Sequence, residues 1–214
     1  MSNILPAILA KNEKDLREKI YAASEFAESV QIDVLDGTLY KANCWADPEA
    51  IAALPLPIPF DAHLMVAKPE DVALLWVKAG AKRIVVQRDA PGNLGKVLEQ
   101  VRKLNREFGL AINPEIDLAE LEEFIPFLDY VLVLGVPPGA QGRTFDPDTI
   151  GRVRNIRAKH PNLKIGVDGG ITDSAHLAHE LAAAGADELV VGSSLWRAKD
   201  PAAAYRAIAE DAIV

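Results

Sequence analysis

Short runs of β-branched and aliphatic residues recur along the chain: ILPAIL (4–9), VQIDVL (30–35), PFDAHLMV (59–66), RIVVQ (83–87), LAIN (110–113), YVLVL (130–134), KIGVD (164–168) and ELVVG (188–192). Runs of this length bounded by turn residues read as eight strands. Helix-like stretches separate them, and several carry start signals. Asp47-Pro48, Asp146-Pro147 and Asp200-Pro201 each pair a capping carboxylate with proline at the first helical position, and Thr172 offers a cap after Gly170. Gly80, Gly109 and Gly185 stand where helices should stop and strands begin. Eight strands alternating with helices require parallel pairing through right-handed crossovers, so the pattern predicts an α/β fold, a (β/α)8 TIM barrel with residues 1–214 as a single domain. A doubly wound open sheet would want a glycine fingerprint after the first strand, where this chain has LAKNEK. AGAKRIVV (79–86) and AGADELVVG (184–192) are alike and lie about half a barrel apart, a short internal similarity.

In a barrel alternate strand residues point inward, and active sites gather at the C-terminal strand ends. The wholly apolar face of VQIDVL (Val30, Ile32, Val34) should meet the helices, which turns Gln31, Asp33 and Leu35 inward. By the same alternation Asp61, His63 and Met65 share one face of the third strand, and Gly166 and Asp168 share one face of the seventh. Asp33, His63 and Asp168 are therefore expected to converge near the barrel mouth. Burying carboxylates costs several kcal/mol per ion unless each is paired, hydrogen-bonded or bound to a metal. The sequence offers no Lys or Arg partner at neighbouring strand ends, so the trio reads as a functional site.

Phosphate is the second theme. The loop after the sixth strand reads GVPPGAQGRTF (135–145), the seventh strand ends in DGG (168–170) and the eighth in GSS (192–194). In barrels the ends of the last two strands commonly grip phosphate with backbone N–H groups and a short helix N-terminus, and Gly169, Gly170, Gly192 and Ser193 are small enough for that approach. Other polar and aromatic residues read as structural: Asp36 as a turn former beside Gly37, His160 at a helix end, His176 and His179 in solvent, and Trp76 in packing. Leu39, Tyr40 and Trp45, in the long loop after the second strand, either cover the pocket or pack against another subunit.

The chain has 214 residues and a formal net charge of −8, with no block of Lys and Arg. That leaves no footprint for nucleic acid and no polybasic membrane patch, so a small metabolite is the expected partner. Cys44 is the single cysteine, which excludes a disulfide framework and fits a reducing, cytoplasmic setting. No run reaches the ~20 apolar residues of a membrane span, and the N-terminus has no basic leader, so the chain is expected to be soluble and unprocessed.

The ordered motifs PAIL, IDVLDG, DAHLMV, INP, VPPGAQG, VDGG and VVGSS resemble the ribulose-phosphate 3-epimerase family across nearly the whole chain. The resemblance implies a ribulose-phosphate-binding type of barrel that epimerises D-ribulose 5-phosphate to D-xylulose 5-phosphate at C3. It assigns the acid/base pair to Asp33 and Asp168 and a divalent metal (Zn, Mn, Fe or Mg) to Asp33, His63, Asp168 and the position of Gln31. It gives the sugar phosphate to His63, Gly139, Ala140, Gln141, Gly142, Gly169, Gly170, Gly192 and Ser193. Relatives form dimers or hexamers, which leaves a homo-oligomer open.

The chain departs from the family pattern at several of these places. Ala7 replaces a serine, Gln31 the first metal-binding histidine, Gln87 a histidine ending the fourth strand, and Gln141 and Arg143 replace glycine and glutamine. A glutamine oxygen is a harder, weaker ligand than imidazole and shifts preference from zinc towards Mg or Mn, while Arg143 could add a charged fork to the phosphate site. Two alternatives stand beside the pentose epimerase: an epimerase of another ketose phosphate such as a hexulose 6-phosphate, and a non-catalytic sugar-phosphate-binding relative.

Overall fold

A computed structural model describes residues 2–139, 144–172 and 176–214. Eight strands, β1 (Asn3–Ile8), β2 (Val30–Leu35), β3 (Phe60–Met65), β4 (Arg83–Gln87), β5 (Glu107–Ile112), β6 (Tyr130–Leu134), β7 (Lys164–Asp168) and β8 (Glu188–Val191), pair in parallel in sequence order and close into a barrel. Helices α1 (Glu13–Ala23), α2 (Pro48–Ala52), α3 (Pro69–Lys78), α4 (Leu94–Lys103), α5 (Asp148–Lys159), α6 (Leu177–Ala184), α7 (Ser193–Trp196) and α8 (Pro201–Asp211) accompany them. Among the described residues no helix is long and apolar enough to cross a membrane.

The expected caps hold at two sites. Asp47 accepts from the backbone N–H of Glu49 and Ala50, and Asp200 from that of Ala203. At Asp146-Pro147 the helix starts one residue later than expected, with Asp146 Oδ1 accepting from Asp148 N at 3.0 Å. The N-terminal flank of α6 is His176, in the left-handed region with φ 54°, and residues 173–175, between it and Thr172, lie outside the described residues. Gly80 and Gly185 end their helices at φ 108° as expected, but Gly109 does not. The strand begins earlier, at Glu107, and the left-handed turn falls on Asn105 (φ 52°). Gly109 instead lets a neighbour approach: a Cβ there would lie 3.0 Å from Tyr130 Cδ1. Between β5 and β6 the expected helix is replaced by two 3-10 turns, Leu118–Leu121 and Ile125–Phe127, because Pro126 falls where a continuous helix would need its N–H.

Two apolar cores result. The outward strand faces, with Val30, Ile32 and Val34 among them, pack against the helices around the fully buried Trp76. A smaller cluster (Leu5, Ala7, Val85, Ala111, Tyr130, Leu132, Leu134, Val190) fills the barrel interior.

The end of the barrel opposite the mouth is closed by charge. Arg83 Nε donates to Asp61 Oδ2 at 3.0 Å, and Arg83 Nη2 donates to Glu188 Oε2 at 2.8 Å. Lys164 Nζ reaches the other Glu188 oxygen at 2.6 Å. The guanidinium carbon lies 3.7 Å from the centre of the Tyr130 ring. Gly166 makes room for that ring, since a Cβ there would come within 1.7 Å of Tyr130 Oη. Arg83 and Glu188 occupy equivalent positions in the two similar stretches noted above, and they meet inside the barrel.

Removing one member of a buried ion network leaves its partners charged and unpaired. Arg83→Met is expected to lower unfolding stability by about 3–5 kcal/mol, read by urea denaturation with an unchanged slope. A loss under ~1 kcal/mol would show that the network does not hold this end of the barrel together.

Candidate active site

Strand register brings the polar inward residues to one level. Asp33 on β2 pairs with His63 on β3, and Asp168 ends β7. As expected from the alternation, the three side chains converge: one ligand atom from each lies within 4.8 Å of the others. His63 Nδ1 is 3.5 Å from Asp33 Oδ1 and 3.9 Å from Asp168 Oδ2.

Gln31 completes the group. Its amide nitrogen donates to Asp33 Oδ1 at 2.8 Å and to Asp168 Oδ2 at 3.0 Å, so the carboxylates share one donor. Strands β2 and β7 are well separated around the barrel, but their carboxylates lean towards each other. The cationic partners that the sequence lacks are replaced by this amide and the imidazole. Burial pushes the Asp168 carboxyl up to about 7, and the nearby Asp33 charge acts in the same sense against His63, Gln31 and the Gly169 N–H.

Two carboxylates and an imidazole, clustered on strand ends, fit a divalent cation of the Mg, Mn, Fe or Zn type. Gln31 is within reach as a further ligand, but it turns its N–H groups to the carboxylates, and its buried oxygen has no hydrogen-bond partner among the described residues. A half-turn of the amide would present that oxygen instead.

Above this floor lies a cleft that opens to solvent. Asp33, His63 and Asp168 line it at the bottom, and Gly139, Gly169, Gly170, Gly192 and Ser193 line it higher up. Ala140, Gln141, Gly142 and Arg143 lie outside the described residues. Gly169 (φ 100°) and Gly170 (φ 76°) are required by packing as well, since a Cβ would lie 2.5 Å from Val136 Cγ2 and 2.8 Å from Phe145 Cα respectively. Two hydrogen bonds lock this side of the cleft: Ser194 Oγ to Ile171 O at 2.7 Å, and Trp196 Nε1 to Ala7 O at 2.6 Å.

Sequence reasoning left the loop after β2 undecided. Tyr40 is tied down within the chain: its hydroxyl donates to Asp89 Oδ1 at 3.0 Å, and Asn113 Nδ2 donates to that hydroxyl at 3.2 Å. Its Cβ would be 3.0 Å from a Cβ at Gly139, so this tyrosine stands between the loops after β2 and β6. Trp45 packs on the outer core. The clasp was missed because Tyr40, Asp89 and Asn113 come from three loops and share no spacing. Asp36 shapes its turn as expected, accepting from Thr38 N at 2.9 Å. His176 is exposed and faces Asp211, His179 is exposed, His160 caps α5 and Trp76 is packing.

A family model described as "Ribulose-phosphate 3 epimerase family" matches residues 3–196. The chain belongs to that family. A ribulose-phosphate 3-epimerase of Chlamydia muridarum (strain MoPn / Nigg) is 36% identical over 180 residues, covering 80% of this chain and 77% of the relative. One from Aquifex aeolicus (strain VF5) is 33% identical over 207 residues, 94% of this chain and 92% of the relative. Membership makes the chain an isomerase of the epimerase class. Among solved structures, 3-hexulose-6-phosphate synthase from Salmonella typhimurium superposes with a TM-score of 0.76 at 18% identity, covering 98% of both chains. KGPDC from Streptococcus mutans gives 0.72 at 14% identity, covering 99% of this chain and 97% of that one. At these identities the likeness is one of fold, a closed barrel.

Among the described residues, the departures from the family pattern lie around His63 and the cleft. Gln31 stands where the resemblance implies a histidine, and Gln87, also in place of a histidine, lies 2.9 Å from His63 Nε2. Ala7 lines the cleft with no hydroxyl to offer.

The shift at Asp168 has a measurable consequence. Its folded value of about 7 lies above the ordinary carboxylate value of about 4, so the folded state holds the proton more tightly. Stability from this group is full below about pH 4 and is lost as pH rises towards about 7, with a limiting slope of about 1.4 kcal/mol per pH unit. In chelator, the stability of the parent relative to Asp168→Asn should therefore fall across that window and level off above it. A difference independent of pH would place the Asp168 pKa in the normal range.

Proposed function

We propose that this enzyme epimerises a ketose phosphate at C3, converting D-ribulose 5-phosphate to D-xylulose 5-phosphate through an enediolate. The observation that carries the reading is the convergence of Asp33 and Asp168, from separated strands, at the floor of a cleft rimmed by glycine loops. Family membership and the names of the relatives support the pentose phosphate as substrate. The Streptococcus mutans neighbour has also been solved with a sugar phosphate bound, which supports a ligand of that class in a barrel of this kind.

Inversion next to a ketone removes a proton from one face of the carbon and returns one to the other, so it needs two acid/base groups. Asp33 and Asp168 take these roles, one ionised and one protonated, and exchange them with the direction of reaction. Without a cation, the shared Gln31 amide keeps both carboxyl groups aimed at one place. Gly139, Gly169, Gly170, Gly192 and Ser193 hold the phosphate through backbone N–H groups, which fixes C3 over the carboxyl pair.

Asp33, His63 and Asp168, with Gln31 after its amide turns, would hold a divalent cation. Such an ion supplies charge stabilisation worth several kcal/mol to developing negative charge on the substrate oxygens. The single cysteine is in keeping with a reducing, cytoplasmic setting.

Incubation with ribulose 5-phosphate in D2O, followed by NMR, should show deuterium at C3 and xylulose 5-phosphate as product. Asp33→Asn and Asp168→Asn should each lower kcat by at least about 100-fold while circular dichroism stays unchanged. No exchange under any divalent metal supplement overturns the reading. Exchange that survives thorough chelation overturns only the cation, and a partly active Asp168→Asn enzyme means that the second acid lies elsewhere. A panel with hexulose 6-phosphates separates the pentose from the hexose alternative.

A further inference from the structure

His63 is 1% exposed, and its ring is held at both nitrogens. Nε2 lies 2.9 Å from the amide nitrogen of Gln87, a residue with no exposed surface. Nδ1 faces Asp33 Oδ1 at 3.5 Å, Asp168 Oδ2 at 3.9 Å and the Gln31 amide nitrogen at 3.4 Å. A neutral imidazole has one N–H and one bare nitrogen. The Gln87 N–H can be accepted only by a bare Nε2, so in this arrangement the ring proton sits on Nδ1 and points at the carboxylates. That form cannot give its Nδ1 lone pair to a cation.

The other form must place an N–H on Nε2, and that proton needs an acceptor. Among the described residues the Gln87 amide oxygen is buried and without a hydrogen-bond partner. A half-turn about the last side-chain bond exchanges oxygen and nitrogen at constant volume and leaves one amide atom unpaired either way. A carboxylate or a backbone carbonyl is an acceptor only, and an ammonium is a donor only. An amide serves both forms of the ring.

We propose that Gln87 is a positioning residue that sets which neutral form His63 takes: Nδ1–H without a cation, and Nε2–H when a divalent cation occupies Nδ1. The ring proton moves from one nitrogen to the other and no charge is gained or lost. The inference rests on the cation reading given above. Gln87 itself does not line the cleft, so it acts through His63 and touches no substrate. Groups that orient a metal-binding histidine commonly alter metal affinity by about 10–100-fold.

Two measurements without substrate test this. In uniformly ¹⁵N-labelled protein, two-bond ¹H–¹⁵N correlation spectra of the His63 ring are recorded in chelator and after Zn²⁺ loading, with Zn²⁺ as the probe. The expected result is the Nδ1–H pattern in chelator and the Nε2–H pattern with Zn²⁺. The variant Gln87→Met keeps the volume and removes both hydrogen-bonding atoms, and is expected to raise the Zn²⁺ Kd at least about 10-fold in a competition assay. Zn²⁺ binding with the same ring form before and after loading overturns the proposal alone, as does a Gln87→Met protein that binds Zn²⁺ as tightly as the parent. Failure of the unaltered protein to bind Zn²⁺, Mn²⁺, Fe²⁺ or Mg²⁺ overturns both the proposal and the cation reading.

Discussion

The structure depends on closure of an eight-stranded parallel sheet in a register that lets every second strand residue point inward. Once β1 pairs with both β2 and β8, no edge remains and no strand can slip by one residue without exchanging its buried faces. In β2 such a slip would carry Val30, Ile32 and Val34 into the barrel and push Gln31 and Asp33 against the helices, burying a charge with no partner. The same register that packs the helices therefore aims the acid/base candidates.

Polar groups enter the barrel at both ends, with different outcomes. At the closed end Asp61 and Glu188 are neutralised by Arg83 and Lys164, and the Tyr130 ring, accommodated by Gly109 and Gly166, seals the space. At the open end Asp33 and Asp168 have a shared amide and a neutral-capable imidazole in place of cations. A guanidinium would satisfy the carboxylates and suppress their basicity; the amide holds both in place, and the Asp168 carboxyl keeps a raised proton affinity. The contrast separates a structural ion network from the proposed acid/base pair, built from the same residue types.

Where the resemblance implies histidines, Gln31 and Gln87 change the chemistry around His63. Each amide presents a donor and an acceptor on one flat group, so hydrogen bonding around His63 can be inverted by rotation. Rigidity comes from elsewhere: the Tyr40–Asp89–Asn113 clasp, and the bonds from Ser194 and Trp196 to Ile171 and Ala7, tie the loops above the pair to one another.

Strand periodicity alone was enough to determine the barrel, the inward set and the trio Asp33, His63 and Asp168, because a period of two translates directly into faces. Motif order identified the family for the same reason, as the motifs sit at strand ends where chemistry is placed. Local chemistry was less secure. Gly109 read as a helix stop because glycine serves both turns and close contacts, and only the Tyr130 ring packed against it shows which. The missing helix after β5 turns on one proline whose N–H a continuous helix would require. The pairing of Arg83 with Asp61 and Glu188, the clasp at Tyr40, and the amides that flank His63 join residues far apart in the chain. No spacing encodes such contacts; they exist only once closure brings the strand ends within hydrogen-bonding distance.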